Sequence, residues 1–200
     1  GRGCVLGPLA VGAFVVNDVP DEVLTLAGAA DSKTLSAKKR MVARTALADH
    51  GESKVHLVSA VDIDRGNLNT LEESAIISLV LHYRPERVII DALGHPSTLG
   101  KTMTRLDEAV RKSGLTVHWT IEPKADGKYP VVGAASIFAK TERDQAIEDL
   151  KDEFGDFGSG YPSDPKTKAW IHRWNESGDE WPPFVRTRWG TIRNLAQQSL

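Results

Sequence analysis

The pentapeptide RVIID (residues 87–91) decides how the rest of the chain reads. Val88, Ile89 and Ile90 make a short unbroken apolar run of the kind that a parallel sheet buries on both faces. Asp91 then ends the run with a carboxylate, and Gly94, His95 and Pro96 stop the strand. A charge at the end of a buried strand costs free energy unless a cation or a base pairs with it. The competing reading is a turn aspartate capping the loop before Gly94.

On either side of this segment, strands and helices alternate. LAVGAFVV (9–16) reads as a strand closed by Asn17-Asp18-Val19-Pro20. A polar loop follows, and Ser36 caps a helix running to about Asp49. VHLVSAV (55–61) is a second strand, residues 62–67 a loop, and 70–84 a helix by its apolar spacing. After RVIID, a helix over about 97–113 leads to the strand LTVHWTIE (115–122). A long helix covers about 131–154, GSGYPSDP (158–165) is a loop, and Pro165 opens a helix to about Trp174. Residues 189–199 have helical character too. This alternation predicts an α/β domain with parallel pairing, whose chemistry gathers at the carboxyl ends of strands.

Composition bounds the function class. With 40% hydrophobic and 26% charged residues in 200, the chain has the make-up of an ordinary globular protein: one domain with a small appendage. No apolar run approaches the ~20 residues of a membrane span. A single cysteine, Cys4, leaves no internal disulfide, and no Cys/His cluster has zinc-ligand spacing, so a reducing cytoplasmic setting is expected. The net charge of −2 argues against a generic nucleic-acid coat, but it is unevenly spread. Residues 141–156 are strongly acidic while 31–40 and 161–170 lean basic, so a polyanion would meet the latter.

The second carboxylate of interest is Asp126, just past the strand at 115–122. By itself it reads as a loop aspartate. If strands 87–91 and 115–122 are parallel neighbours, though, Asp91 and Asp126 face one cleft that suits a divalent cation with oxygen ligands. Asp144 lies four residues after Lys140, which lies four after Ser136, so all three share a helix face; the plainer reading is a solvated ion pair. Tyr161, in a Gly-Ser-Gly-Tyr-Pro loop, is a platform for stacking on a sugar or base, or else packs beneath its own loop. Lys33, Lys124, Lys140, Lys166 and Lys168 are candidate phosphate contacts. Asp62 and Asp64 read as loop and cap residues.

Seven blocks in order carry a resemblance: GRGCVLGPLAVGAF (1–14), DSKTLSAKKR (31–40), NLNTLE (67–72), VIIDALG (88–94), KADGKYPVVGAASIFAKTERDQA (124–146), GSGYPSDPKTKAW (158–170) and FVRTRWGT (184–191). Together they resemble the type 2 ribonucleases H (ribonuclease HII), in their archaeal and eukaryotic form. The resemblance implies a ribonuclease H-like mixed sheet flanked by helices, with a catalytic domain over 1–156 and a C-terminal loop and helical region over 157–200. It implies hydrolysis of the RNA strand of RNA–DNA hybrids, and cutting at ribonucleotides embedded in duplex DNA, leaving 3′-hydroxyl and 5′-phosphate ends. Two Mg²⁺ or Mn²⁺ ions on clustered carboxylates would do the chemistry. Asp91 and Asp126 match metal ligands, and Asp144 a carboxylate lying beside the site. Gly1, Arg2 and Gly3 match a loop whose backbone reads the 2′-hydroxyl, and Tyr161 a residue that packs on the ribonucleotide's sugar. Lys33, Lys124, Ser136 and Lys140 are expected along the substrate path. A membrane-free setting completes the expectation; accessory subunits, which eukaryotic relatives carry, are left open.

The family's first block runs Asp-Glu-Ala-Gly-Arg-Gly, and Gly1 aligns with its fourth residue. Two further ligand carboxylates and the first, central strand are therefore expected upstream, and residues 1–200 alone are expected to have little or no hydrolytic activity. The alternative is a catalytically incomplete hybrid-binding module. Glycoside hydrolysis by two carboxylates fits worse, leaving the lysines and the Gly-Arg-Gly loop unexplained.

Overall fold

In chain order the polypeptide runs β1 (Leu9–Val15), α1 (Asp21–Leu26), α2 (Ala37–Leu47), β2 (Glu52–Val58), α3 (Ala60–Arg65), α4 (Leu68–Tyr83) and β3 (Arg87–Asp91). It continues with α5 (Leu99–Arg111), β4 (His118–Glu122), α6 (Ala125–Lys128), α7 (Pro130–Phe154), α8 (Pro165–Ser177) and α9 (Gly190–Gln197). The computed structural model describes residues 2–92 and 96–197. The chain gathers into two compact units, one of residues 1–10, 57–71 and 142–200, the other of 11–56 and 72–141.

The second unit carries the sheet. β3 and β4 pair in parallel, Arg87 opposite His118 through Asp91 opposite Glu122. β1 and β2 form a separate two-stranded ladder among the described residues. β3 is not the doubly buried strand its apolar run predicts: Val88, Ile89 and Ile90 are only partly buried. Val88, Ile90, Trp119 and Ile121 instead pack against a core of Ile76 and Val80 from α4 and Leu106 and Val110 from α5. A second core joins Phe14 of β1, Leu24 of α1, Ala43 and Leu47 of α2, and Ala134, Ile137 and Phe138 of α7. Here β1 and α7 touch backbone to backbone. A Cβ on Gly12 would lie 2.7 Å from the Ala135 carbonyl oxygen and 2.9 Å from the Ala139 Cβ. The small residues of GAASIFA permit that approach.

The first unit is built on aromatic packing, with Phe157, Trp170 and Phe184 in mutual contact beside Ile171, Ile192 and Leu195. Each buried ring contributes about 2–3 kcal/mol from the area removed from water.

Three local expectations are corrected. β2 stops at Val58, and a helix occupies most of the expected 62–67 loop. Ser59 is its N-cap: the hydroxyl oxygen accepts the Asp62 N–H at 3.0 Å and its O–H donates to Asp62 Oδ2 at 2.6 Å. That side-chain cap outweighs the β-branched run around it. The polar stretch after Pro20 holds α1, with Asp21 and Glu22 in its first turn, where the helix dipole favours acids. β4 begins at His118, three residues later than the apolar pattern suggests. No helix of the described residues is long and apolar enough to cross a membrane.

Candidate active site

The sequence-predicted residues fall into two groups, one in each compact unit. In the sheet-bearing unit, the parallel register brings the ends of β3 and β4 side by side. Asp91 Oδ1 accepts the N–H of Ala125 at 3.0 Å, which ties the strand end to the start of α6. Asp126, one residue further, is buried at 7% exposure. To reach α6 the chain turns through Lys124, a non-glycine residue held left-handed at φ 60° with its side chain exposed. Such a conformation persists only where the surroundings impose it.

Burial raises the Asp126 carboxyl above the ordinary range, and the negative charges of Asp91 and Asp31 push it further up. Lys33, its Nζ 3.7 Å away, pulls the other way, but that lysine is 77% exposed and screened by water. Asp31 went unnoticed in the sequence because its visible job is local: its Oδ1 accepts the Lys33 N–H at 2.9 Å and shapes the DSKT turn. Ser136 supports the same turn, accepting the Ser32 N–H at 3.3 Å while donating to the Gly133 carbonyl at 2.9 Å. Glu122, opposite Asp91, is committed elsewhere, to Lys128 at 2.6 Å.

These donors suit a hard divalent cation. They are carboxylate oxygens, one deeply buried, held close enough to repel one another. No set of three or more His, Cys, Asp or Glu side chains forms a metal-holding group among the described residues. Lys140 is half-buried on α7.

In the other unit, Gly3 and Tyr161 meet: a Cβ on Gly3 would sit 3.9 Å from the Tyr161 ring edge. Arg2 donates to Asn69 Oδ1 at 2.7 Å, so the NLNTL block holds the Arg2–Gly3 turn. Gly160, at φ +75°, accepts the N–H groups of Val5 and Leu6 at 2.8 and 3.2 Å. Any side chain there would strike the Leu6 carbonyl. Asp144 lies 4.0 Å from the guanidinium of its neighbour Arg143. Lys166 forms an exposed ion pair with Asp156 at 2.6 Å. Gly1 lies outside the described residues.

Two residues given no role in the sequence prove central to this group. Arg186, fully buried, donates to the carbonyls of Arg2 at 3.1 Å and Gly7 at 3.1 Å and contacts Cys4 Sγ at 3.0 Å. Arg143, 2% exposed, donates toward the carbonyls of Leu6 and Ser159 and lays its guanidinium over the Tyr161 ring. A lone arginine in a polar segment reads as solvated, so only their apolar neighbours, Val185 and Ile147, could have hinted at burial.

A description of the family "Ribonuclease HII" matches residues 1–192. The ribonuclease HII of Pyrococcus furiosus is 38% identical over 204 residues, covering 98% of this chain and 88% of its own length. That of Archaeoglobus fulgidus is 38% identical over 204 residues, covering 100% and 95%. Among solved structures, the PCNA:RNase HII complex from A. fulgidus matches with a TM-score of 0.87 at 36% identity, covering 100% of this chain and 95% of that one. The ribonuclease H2 of Pyrococcus horikoshii matches with a TM-score of 0.83 at 37% identity, covering 98% and 93%. Sheet, carboxylate pair and glycine loop thus stand in a chain that belongs to the ribonuclease HII family of endoribonucleases, hydrolases that cleave RNA in RNA–DNA hybrids.

Proposed function

We propose that this chain acts on the RNA strand of RNA–DNA hybrids and on single ribonucleotides embedded in duplex DNA, leaving 3′-hydroxyl and 5′-phosphate ends. The observation that carries the reading is the placement of Asp91 at the end of β3 and of Asp126 on α6 just past the end of β4, where burial and the charge of Asp91 raise the Asp126 carboxyl. Asp91 and Asp126 would hold Mg²⁺ or Mn²⁺. When bound, such cations stabilise the attacking and leaving oxygens of an in-line displacement at phosphorus. The Ala125 N–H fixes the Asp91 carboxylate in orientation, and Lys33 tempers the negative field at Asp126. Lys33, Lys124 and Lys140 serve as phosphate contacts, and Ser136 keeps the Lys33 turn in place. Asp144 keeps the role beside the reacting group that the family resemblance implies. Gly3 presents backbone to the 2′-hydroxyl, and Tyr161 packs on the sugar that bears it. The A. fulgidus relative is seen with PCNA, and a partner of that kind belongs to this reading.

The test is a duplex carrying one ribonucleotide, incubated with Mg²⁺ or Mn²⁺ and compared with an all-deoxy duplex. Metal-dependent cutting confined to the ribonucleotide is expected. Ribonucleotide-selective binding with no cutting at all would identify a hybrid-binding module instead. Equal behaviour toward both duplexes would overturn the reading.

A further inference from the structure

We propose that Arg143 is a positioning residue for ribonucleotide recognition, holding the Tyr161 ring against the Arg2–Gly3 loop. The proposal rests on the roles assigned above to Gly3 and Tyr161. Its support is a convergence of contacts on one buried side chain. The Arg143 guanidinium carbon lies 5.2 Å from the Tyr161 ring centroid, so the cation faces the π system. Its Nη2 donates to the carbonyl of Ser159, two residues before Tyr161, at 3.3 Å, and to that of Leu6 at 3.5 Å. One planar group thus touches the tyrosine, the loop that leads to it and the segment that follows the glycine loop.

The arrangement is costly. Arg143 Nε is buried and finds no hydrogen-bond acceptor among the described residues, so its desolvation goes uncompensated. Arg186 is buried nearby as a second cation: burial depresses its guanidinium and the charge of Arg143 depresses it further. Arg186 spans the other side of the loop through the Arg2 and Gly7 carbonyls. Packing alone would favour apolar side chains in place of two like charges. Two guanidiniums make sense where several carbonyls and a ring must be held at fixed separations, because the planar fork orients what it binds.

Binding is measured by fluorescence anisotropy without divalent cation, so that no cutting intervenes. The duplexes are the single-ribonucleotide form and its all-deoxy counterpart. The wild-type chain is expected to prefer the ribonucleotide. Arg143→Lys, which keeps charge and stem but loses the fork, is expected to lower that preference about fivefold, with all-deoxy affinity held within about twofold. Tyr161→Ala is expected to lower it similarly, and the double variant to add little, because both changes remove one interaction. A preference unchanged in Arg143→Lys, or additive losses in the double variant, would overturn the inference while leaving the functional reading intact. No preference in the wild-type chain would overturn both. Arg143→Met removes the charge as well; should it fail to fold, Arg143→Lys still carries the comparison.

Discussion

The two halves of the functional machinery handle charge in opposite ways. At the ends of β3 and β4, like charges are gathered and left under-compensated: Asp91 and Asp31 press on a buried Asp126, and the nearby cation, Lys33, is mostly in water. Around the Gly-Arg-Gly loop, buried cations are supplied with backbone carbonyls, Arg2 and Gly7 for Arg186, Leu6 and Ser159 for Arg143. The first arrangement gains stability when a mobile cation arrives. The second meets its cations with backbone carbonyls, the buried Arg143 Nε excepted, and serves to fix backbone. A site for an ion and a site for a shape are therefore distinguishable by whether the protein neutralises its own buried charge.

Four measurements would break or sharpen that contrast. Arg186→Ala, which strips several carbonyls of their donor and opens a void, is expected to cost about 4 kcal/mol in urea unfolding; a loss within about 1 kcal/mol would mean the loop holds itself. Gly12→Ala is expected to cost about 2 kcal/mol in the same assay, because its methyl group meets the Ala135 carbonyl; a neutral result would show that β1 and α7 have room to part. Asp91→Asn should weaken Mn²⁺ binding at least about tenfold by calorimetry with little change in unfolding. Unaltered binding would remove Asp91 from the ligand set. The smallest effect concerns pH. Asp126 has a raised folded pKa, so in metal-free protein its contribution to stability is present below the ordinary carboxylate range and lost as pH rises through the folded value. Asp126→Asn should therefore raise the metal-free Tm at neutral pH by roughly 2 °C and flatten its pH dependence. A lowered Tm would mean the carboxylate stabilises the fold even without a cation.

Reading outward from RVIID located the parallel pair and both of its carboxylates, because strand periodicity and an acidic residue at a strand end are local signals. It misplaced the end of β2 because β-branched residues continue past Val58, and the Ser59–Asp62 cap, a side-chain hydrogen-bond matter, ends the strand. It missed α1, whose six residues are too few to show a helical period. Lys166 looked like its fellow lysines until Asp156, ten residues earlier, was folded against it.

The sequence by itself determined the alternation of strands and helices, the carboxylates at strand ends and the glycines where backbone must turn or approach, since each depends on neighbours within a few positions. Only the tertiary structure decided which charges are buried, which partners they meet and in which direction a pKa is pushed. Arg143 and Arg186 show why: burial and electrostatic coupling depend on distances between residues far apart in the chain, and no local pattern encodes those distances.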